Sequence, residues 1–583
     1  MLVFGDRSER ADPRERLTRT RGELARIAAM PPGIARHAGI AAVLIETGRV
    51  LQGVADVQFD CDGRDCTASQ TEALGECMLA LARMLCRSWD SGFAETGNIP
   101  VMPDILDLPD AVELKAPEGF AFYAVYPEAY VEAARRLRLS APPRVIGIRS
   151  IGTTLAAVVA AALDAEPPVT LRPFGDPFER RVAADPELER KLVQGDAHFV
   201  IVDEGPGQSG SSFGAVADWL QARGVRLDRI AFLPSHGGPL GMHASATHRR
   251  RWQAAQRQVA DFGDRLPQLV AAWAGGVVGP IDAEPEDISG GEWRRRTFAN
   301  GSEWPTVIPM FERCKFLVRS GGVRFLVKFA GLGRIGEAKL RMARALHEYG
   351  FVAEPIGLAH GFLVERWRDD VTPLRAEQAP VEEIGRYLGT RARLFPANDA
   401  EGASIAELYD MAVRNISLGL GDEAVRALGR WEPRLQQLQR RVRRVRTDNR
   451  LNRHEWLRTN AGCLLKTDGL DHHQAHDLIG CQDLAWDVAG AITEFDLKGR
   501  DVERLIGASE HASGTTVDRE LLDFCLIAYA AFRLGLAALG ADLPSHDPAE
   551  ADRLIAAREF YRSASQHLLQ GSSSATRQES LVG

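Results

Sequence analysis

The sequence predicts a multidomain protein, in which an α/β domain with a parallel sheet precedes an α+β bilobal domain. Three observations support this prediction. The chain has 583 residues, more than a single hydrophobic core usually serves. Between about residues 115 and 240, apolar runs, Gly/Ser-rich loops and helical patterns follow one another, as they do in βαβ units. Beyond residue 310, a strand pair precedes a long region of helical patterns, which is typical of an α+β fold.

Composition narrows the class of protein. Hydrophobic residues make up 45% of the chain and charged residues 26%, which is ordinary for a folded protein. The formal net charge of −8 argues against nucleic acid as a partner. We find no apolar run of transmembrane length and no apolar signal-peptide core in the first residues, so we expect a cytoplasmic protein without a membrane partner. The eight cysteines are scattered, which favours reduced thiols.

Shifts in composition also predict the domain boundaries. Gly- and Pro-rich text marks a connecting segment near the middle of the chain, and a Ser-rich end predicts a disordered tail. The predicted units are an N-terminal elaboration that could hood an active site (1–100), the α/β domain (101–270), a linker (271–310), the bilobal domain (311–570) and the tail (571–583). Within the elaboration, residues 70–89 predict an amphipathic helix, and His37 is expected to pack or cap rather than to catalyse.

One stretch of the α/β domain carries most of the functional information. His198–Val202 predicts a buried parallel strand, and two acids, Asp203 and Glu204, follow it directly. A loop of small residues then leads into a helical pattern. Loop N–H groups and a helix N-terminus would face a phosphate, and the acids would hold ribose hydroxyls, directly or through Mg²⁺. The alternative is a strand followed by a capped helix, with the acids as capping groups.

A second strand–loop–helix unit comes earlier, where Arg149 opens a loop between a short strand and an alanine-rich helix. Together the two loops resemble the phosphate-binding loops of type I phosphoribosyltransferases. The resemblance implies a site for 5-phosphoribosyl diphosphate (PRPP) or a nucleotide, with Asp203 and Glu204 as the catalytic acids. The residues implied to bind PRPP are Arg149, Ser150, Gly152, Thr153, Thr154, Ser209, Gly210, Ser211 and Ser212.

This resemblance has departures. The phosphate loop is one residue longer than usual, and Gly207 and Gln208 stand where many members carry an acid. The general base of this half therefore stays open; His236, in the loop after the predicted strand Arg229–Leu233, is a candidate acid/base group, and the alternative is a polar surface residue. Two flanking segments, Phe120–Tyr126 and Arg229–Leu233, predict further strands.

The second half begins with a predicted hairpin whose second strand, Val323–Phe329, contains Lys328. A helix carrying Glu337 follows. This pair resembles the lysine–glutamate ion pair of kinase folds, which positions the nucleotide phosphates. The segment His360–Trp367 resembles the strand that enters an interlobe hinge. Lys328, Glu337 and Glu365 are therefore implied to bind ATP, and the alternative for Lys328 is an edge lysine that reaches to solvent.

The region from Thr447 to Asp487 resembles the C-lobe of aminoglycoside-phosphotransferase-like kinases. By this resemblance Asp448 is the catalytic aspartate, which accepts or orients the substrate hydroxyl, and Asp468 is a Mg²⁺ ligand. Asn452 is the implied second metal ligand, although it falls one residue early.

Other metal ligands stay open at this point. His454 or Glu455 could take the position of Asn452. The group His472, His473 and His476 could bind a metal of its own, or act as a hydrogen-bonding scaffold.

These patterns lead to one main functional hypothesis and two alternatives. The main one is a bifunctional transferase, with PRPP or nucleotide chemistry in the first half and ATP–Mg²⁺-dependent phosphorylation of a small-molecule hydroxyl in the second. The first alternative is a non-catalytic regulatory protein that senses nucleotide or PRPP. The second is a docking module for a protein substrate. The sequence identifies neither acceptor and leaves open whether the chain forms a homodimer.

Overall fold

The computed structural model of the protein describes residues 1–5, 8–207, 209–375, 377–543 and 547–579, with the side chains of all of these except 310 and 571–579.

The first half contains ten helices and nine strands among the described residues. Its helices are α1 (Pro13–Ala28), α2 (Ile34–Asp62), α3 (Ser69–Asp90), α4 (Glu118–Phe122), α5 (Pro127–Arg135), α6 (Gly152–Ala162), α7 (Pro186–Val193), α8 (Ser211–Gln221), α9 (Ala246–Ala254) and α10 (Leu266–Val278). Its strands are β1 (Ser8–Ala11), β2 (Val112–Lys115), β3 (Pro143–Ile148), β4 (Val169–Leu171), β5 (Phe174–Asp176), β6 (Glu179–Arg181), β7 (His198–Val202), β8 (Ile230–Leu233) and β9 (Gln256–Arg257).

A five-stranded sheet with the order β4-β3-β7-β8-β9 forms the centre of this half, and every neighbouring pair is parallel. Side chains alternate between its faces. Val200 and Val202 pack into the core with α2, α3 and α6, whereas Phe199 and Ile201 pack with α7 and α8. The predicted α/β domain with a parallel sheet is confirmed, including the strand that ends at Asp203.

One predicted strand in this half is wrong. Phe120–Tyr126 contains most of helix α4 and a turn, not a strand. The main-chain carbonyl of Phe120 accepts a hydrogen bond from Leu332, and the N–H of Gly119 donates to Glu204, so this segment bonds to loops on both sides instead of to a sheet. The apolar residues read as a strand are the buried face of this short helix and its turn.

The second half combines two antiparallel sheets with a helical lobe. Its strands are β10 (Glu286–Asp287), β11 (Lys315–Ser320), β12 (Val323–Phe329), β13 (Pro355–Ala359), β14 (Phe362–Arg366), β15 (Val371–Pro373), β16 (Trp456–Thr459) and β17 (Leu464–Lys466). Its helices are α11 (Arg294–Thr297), α12 (Arg334–Glu348), α13 (Val381–Leu394), α14 (Ile405–Leu420), α15 (Asp422–Val425), α16 (Leu435–Gln439), α17 (Leu484–Glu494), α18 (Arg500–Ser513), α19 (Arg519–Asp542) and α20 (Pro548–Glu579).

The larger sheet has the order β10-β11-β12-β14-β13, and the smaller has the order β15-β16-β17. Helix α12 packs on the larger sheet, and helices α13 to α20 form most of the other lobe. Helices α13 and α18 approach closely because Gly389 faces the carbonyl of Ser509; a Cβ at Gly389 would lie 2.2 Å from that oxygen. This arrangement is the α+β bilobal fold that the sequence predicts.

The two halves share one hydrophobic core. Residues of the larger antiparallel sheet, among them Phe329 and Phe362, pack in the same cluster as helices α2, α3 and α6. The predicted linker 271–310 takes part in this contact, because it contains the end of α10, which packs on β13, and strand β10 of the sheet. At the other end of the chain, Phe4 pairs with Asp477 of the helical lobe. The antiparallel sheet is therefore fixed to the first half.

Two features differ from the sequence-based expectation. Helices α2 and α19 are long and apolar enough to cross a membrane by length and composition, but 78% of the apolar window of each is buried inside the protein, as in core helices. Helix α20 continues to Glu579 and so includes residues 571–579, the first part of the predicted disordered tail. The last four residues of that prediction, 580–583, lie outside the described residues.

Candidate active-site cleft

A cavity of about 640 Å³ lies between the larger antiparallel sheet and the helical lobe. Strands β11, β12 and β14 form one wall, and residues 450–471 form the opposite wall. The segment 288–312 and helices α19 and α20 contribute the remaining sides. Cavities of this size hold ligands as large as a nucleotide, so the cleft is the leading candidate for the functional site.

Four charged side chains join the two walls of the cleft. Lys328, on β12, donates to Asp468 and, at 2.6 Å, to Asp471 Oδ2. Lys339, on α12, donates to the other oxygen of Asp471 at 2.5 Å. The lysine–carboxylate pairing holds the pKa of Asp468 and Asp471 well below the ordinary value, so both acids are ionised. Burial lowers the pKa of Lys339 to about 8.

The predicted ion pair between Lys328 and Glu337 is wrong. The Glu337 side chain is 55% exposed, and its partner is Arg341 at 3.9 Å. Lys339 lies on the inner face of α12 with Met342 and Leu346, so a lysine stands near Lys328 in place of the expected glutamate. The acid that neutralises both lysines comes from the opposite lobe instead.

Asp468 has an unusual backbone conformation. It follows strand β17 with a φ of +56°, in the left-handed region that non-glycine residues rarely occupy. Its side chain lines the cavity and is 33% exposed, which leaves carboxylate surface open to a ligand. Sparsely populated backbone conformations cluster at functional sites, and this one places the carboxylate opposite Lys328.

Asp448, the expected catalytic aspartate, lies behind the cleft. Its side chain is fully buried and does not line the cavity. One carboxylate oxygen accepts a hydrogen bond from the Tyr387 hydroxyl at 2.6 Å and lies 3.4 Å from Lys466 Nζ. Its main-chain N–H donates to Asp487 at 2.8 Å. A base must reach the proton that it abstracts, and in this structure the Asp448 carboxylate faces Tyr387 and Lys466 instead of the cleft.

Glu455 is the second carboxylate on the floor of the cleft. It accepts hydrogen bonds from Lys466 Nζ at 2.7 Å and from the Asn452 amide at 2.8 Å. Burial raises its pKa. The other end of the Asn452 amide accepts from Arg533 at 2.7 Å, so both polar atoms of Asn452 are engaged. Both Glu455 oxygens are engaged as well, so what favours Glu455 over Asn452 as a metal ligand is the charge of a carboxylate, the group that Mg²⁺ prefers.

Positive charge surrounds these acids. Arg450, Arg453 and Arg533 line the helical-lobe side of the cavity. Glu365, on β14, faces the cavity from the sheet, where burial raises the pKa of its carboxyl to about 7. Arg450 pairs with Asp477 at 3.1 Å and Arg533 with Glu494 at 2.6 Å, so part of this positive charge is neutralised within the protein. Arginines beside a small group of carboxylates suit a polyanion bound together with a divalent cation.

The histidines near residue 475 do not form a metal site among the described residues. His472 Nε2 lies 3.6 Å from Asp468, and His476 Nδ1 lies 3.2 Å from the Tyr123 hydroxyl. The three-ligand group that the described part of the chain contains lies elsewhere and includes none of them. The scaffold alternative therefore fits these histidines.

A second candidate site lies at the carboxyl end of β7. Here Asp203 Oδ1 accepts from the Glu204 N–H at 2.9 Å, and Glu204 accepts from the Gly119 N–H at 3.0 Å. Gly152, at the start of α6, is close to this pair: a Cβ there would lie 3.5 Å from Asp203 Oδ1. The structure therefore brings the two predicted loops together at one edge of the sheet.

The predicted phosphate-loop residues have separate roles in this structure. Ser209 and Ser211 both donate to the carbonyl of Pro177, in the turn between β5 and β6, at 3.2 and 2.7 Å. Gly210, the N-cap residue of helix α8, has a φ of +61°, and Ser212 is half-buried in the first turn of that helix. The first N–H of α8, that of Ser211, donates to the Ser209 hydroxyl at 3.2 Å, and the hydroxyls of Ser209 and Ser211 hold the β5–β6 turn.

The first loop is less open. Arg149 pairs with Asp56 at 3.0 Å and also with Asp65, so a diphosphate would compete with two buried carboxylates for it. Thr154 lies against α2, where its hydroxyl would be 2.1 Å from a Cβ at Gly48. Ser150 is half-buried, and the Thr153 hydroxyl is buried without a hydrogen-bond partner in the described part of the chain.

The acid pair predicts a pH dependence of stability. Burial raises the pKa of Asp203 from 3.8 to about 7 and that of Glu204 from 4.5 to about 8. At a pH between the ordinary pKa and the raised pKa of each acid, the folded state keeps a proton that the unfolded chain releases. The free energy of unfolding therefore falls as pH rises from about 5 to about 8. Asp203→Asn should make this slope shallower by about one proton. Hydrogen exchange of the β7 amides, followed between about pH 5 and pH 8, measures this slope.

The matched control is Asp60→Asn, because Asp60 is exposed and in the same half. It should leave the slope unchanged. Equal slopes for the wild type and Asp203→Asn would show that Asp203 is already ionised in the folded protein at pH 5.

Several residues of the cleft were not predicted as site residues from the sequence. They are Lys339, Lys466, Asp471, Arg450 and Arg533. For Lys339 a signal was present, because it shares helical spacing with Met342, Ala343 and Leu346, which are buried. Arg533 carries no such signal, since it reaches the cleft from a helix more than 60 residues after Asp468.

No protein-family model matches the chain, and no curated protein matches it. Solved structures similar to about half of it include the choline kinase LicA from Streptococcus pneumoniae, at 17% identity over 43% of this chain and 89% of that chain, with a TM-score of 0.31. A putative aminoglycoside phosphotransferase from Ralstonia eutropha is 13% identical over 52% of this chain and 98% of its own, with a TM-score of 0.34. A spectinomycin phosphotransferase, solved with ADP and spectinomycin, has 13% identity, the same coverage and a TM-score of 0.32.

The sequence identities and TM-scores of these structures are too low to assign a function to this chain. They also give no support to a phosphoribosyltransferase-like first half, which stays a prediction. The function proposed below rests on the contacts within the cleft.

Proposed function

We propose that the cleft binds ATP with Mg²⁺ and transfers a phosphoryl group to the hydroxyl of a small molecule. The observation that carries this proposal is the pairing of Lys328, on the sheet, with Asp468, which follows β17 in a left-handed conformation. Phosphoryl transfer needs both of these groups: the strand lysine binds phosphate oxygens, and the acid across the cleft binds a metal ion.

The nucleotide would occupy the space between the two lobes. Its phosphates would meet Lys328 and the arginine-lined wall, and its base would lie near β14. Glu365 suits that position, because a carboxyl with a pKa near 7 can donate or accept a hydrogen bond at neutral pH. The cavity volume of about 640 Å³ is large enough for a nucleotide and a small acceptor.

The carboxylates of the floor fit Mg²⁺, which prefers oxygen ligands and needs only one or two protein carboxylates beside phosphate oxygens. Asp468 and Glu455 would hold it, and Lys466 would keep Glu455 in place. When bound, Mg²⁺ would neutralise charge on the phosphates. The residues of the chain would then orient the phosphates and exclude water.

The burial of Asp448 does not exclude this reaction. Phosphoryl transfer passes through a loose transition state and depends mainly on positioning and electrostatic stabilisation. Arg450, Arg453 and Arg533 supply positive charge on the side of the cleft where the acceptor would enter. The acceptor hydroxyl would be oriented there, and its proton would pass to a cleft carboxylate or to the phosphoryl group itself.

For the first half, we propose binding of a phosphorylated sugar such as PRPP or a nucleotide. The support is the adjacency of the acid pair and the N-terminus of α6, where a Cβ at Gly152 would lie 3.5 Å from Asp203 Oδ1. The pair would hold ribose hydroxyls or a cation once it is deprotonated. Transfer of the phosphoribosyl group is the finer hypothesis and needs an acceptor that the structure does not identify.

A non-catalytic sensor of nucleotide or PRPP is the second candidate. It is favoured by two contacts: the Asp448 carboxylate is bound to Tyr387, and Arg450 stands in the cleft with Asp477 at 3.1 Å as its partner. Such a protein would bind the same ligands with no turnover.

Titration calorimetry of the full chain with Mg²⁺ tests these proposals. Asp468→Ala should weaken ATP binding by more than about tenfold and leave PRPP binding unchanged, because metal-ligand loss acts only on the nucleotide. Asp203→Ala should do the reverse. ATP binding without consumption, across a panel of hydroxyl compounds, would favour the sensor. If the wild type binds neither ligand, both proposals fail.

A further inference from the structure

A buried cluster of three side chains lies outside both candidate sites. His37 is in the first turn of α2, Glu128 is in the first turn of α5, and His360 is in the turn between β13 and β14. All three are buried, and one ligand atom from each lies within 4.8 Å of the other two. We propose that this cluster binds a divalent transition-metal ion, zinc by ligand chemistry, which fastens the antiparallel sheet to the first half.

The distances fit coordination. Glu128 Oε1 lies 2.8 Å from His37 Nε2 and 3.3 Å from His360 Nε2. Around a tetrahedral zinc ion, neighbouring N and O ligands are about 3.3 Å apart. The Glu128–His360 pair already has this spacing, and a shift of about half an ångström would give it to the Glu128–His37 pair. Two imidazoles with one carboxylate are a donor set that zinc accepts, whereas Mg²⁺ and Ca²⁺ prefer oxygen alone.

The second observation is that, among the described residues, three polar atoms of the cluster lack a well-formed hydrogen bond, although one of them, His360 Nε2, faces Glu128 Oε1 at 3.3 Å. Glu128 Oε2 and both ring nitrogens of His360 are buried without a well-formed hydrogen bond in the described part of the chain. Buried polar atoms are almost always satisfied, so these orphans need an explanation. A metal ion would take His360 Nε2 directly, and Glu128 Oε2 could fill its fourth position.

The surroundings also suit a closed structural site. His37 Nδ1 lies 2.9 Å from the Ser88 hydroxyl, a contact that directs Nε2 towards Glu128 when Nδ1 carries the proton. Aromatic rings enclose the cluster: Trp273 meets His360 edge to face at 4.9 Å, and Phe93 lies 4.8 Å from His37. An enclosed site without an open position is typical of structural rather than catalytic zinc.

The backbone of His360 shows what the cluster holds in place. His360 has a φ of +44°, which is uncommon for a residue other than glycine. Its carbonyl accepts a hydrogen bond from the Tyr126 hydroxyl at 2.9 Å. The strand that follows is β14, which carries Glu365 to the cleft. The metal would thus fix the edge of the cleft's sheet against α2 and α5.

The test is metal analysis of the full chain, purified without metal-affinity chromatography, then exposed to Zn²⁺ or Co²⁺ and dialysed. The wild type should retain about one ion per chain, and the Co²⁺ form should show the visible d–d absorption of a tetrahedral site. Glu128→Gln should retain less than about a tenth of an ion, and Ser88→Ala should weaken binding about 10- to 100-fold. His198→Gln, a buried histidine outside the cluster, should keep the metal.

The results separate the possible explanations. A wild type that retains neither ion overturns the proposal, and so does a bound ion that survives Glu128→Gln. If Glu128→Gln does not fold, the stoichiometry of the wild type and the spectrum of its Co²⁺ form decide. The inference is independent of the proposed phosphotransfer, because metal content is measured without nucleotide.

Discussion

Replacing Asp468 by asparagine is expected to reduce ATP turnover by about 10³-fold, the loss typical of removing one preorganised electrostatic group from a phosphate site. Asparagine has the same shape and tolerates the left-handed backbone found here, so the turn after β17 should persist. Lys328 would still have Asp471 as a partner. The change therefore removes one charge from the cleft and little else.

Asp369→Asn is the matched control for this substitution. Asp369 lines the same cavity, and its side chain is 57% exposed in an ion pair with Arg324. Exposed ion pairs contribute at most about 1 kcal/mol, so turnover should change by less than about fivefold. ATP consumption with a panel of hydroxyl acceptors, together with Mg²⁺–ATP affinity, measures both variants. Equal effects of the two substitutions would contradict the assigned role of Asp468.

The strands and helices around both sites could be predicted because their signals are local. The strand His198–Val202 is an apolar run that ends at two acids, and the hairpin around Lys328 consists of two apolar runs joined by a Ser-Gly-Gly turn, so local sequence alone predicted them. The segment Phe120–Tyr126 shows the limit of this approach. Its aromatic residues read as a strand, but contacts to Leu332 and Glu204, far away in the chain, favour a short helix.

Side-chain partners were harder to predict than the elements that carry them. Spacing indicates which face of α12 is buried, but not that the buried charge is a lysine whose partner, Asp471, comes more than 130 residues later. The motif likeness placed Asp448 at the reaction centre because a motif records residue type and order. It does not record that a neighbouring helix supplies Tyr387 to occupy that carboxylate.

The burial of Asp448 leads to a prediction that separates catalysis from positioning. Tyr387→Phe removes the hydroxyl that donates to Asp448 and leaves a buried carboxylate short of one hydrogen bond, at a cost of about 1–3 kcal/mol in local stability. Asp448→Ala removes a partner of the fully buried Lys466, and breaking a buried pair costs about 3–5 kcal/mol. Lys466 keeps Glu455, which favours the lower end of that range.

Hydrogen exchange of the amides of residues 447–449 measures this cost, because the N–H groups of Asp448 and Asn449 donate to Asp487 at 2.8 and 2.9 Å. In the folded fraction of Tyr387→Phe, turnover should stay within about fivefold of the wild type, since the phenol does not line the cleft. If Asp448 were catalytic, its substitution would lower turnover strongly and local stability only slightly. Asp448→Asn would then lose about 10²- to 10⁴-fold in turnover while exchange at these amides changed little.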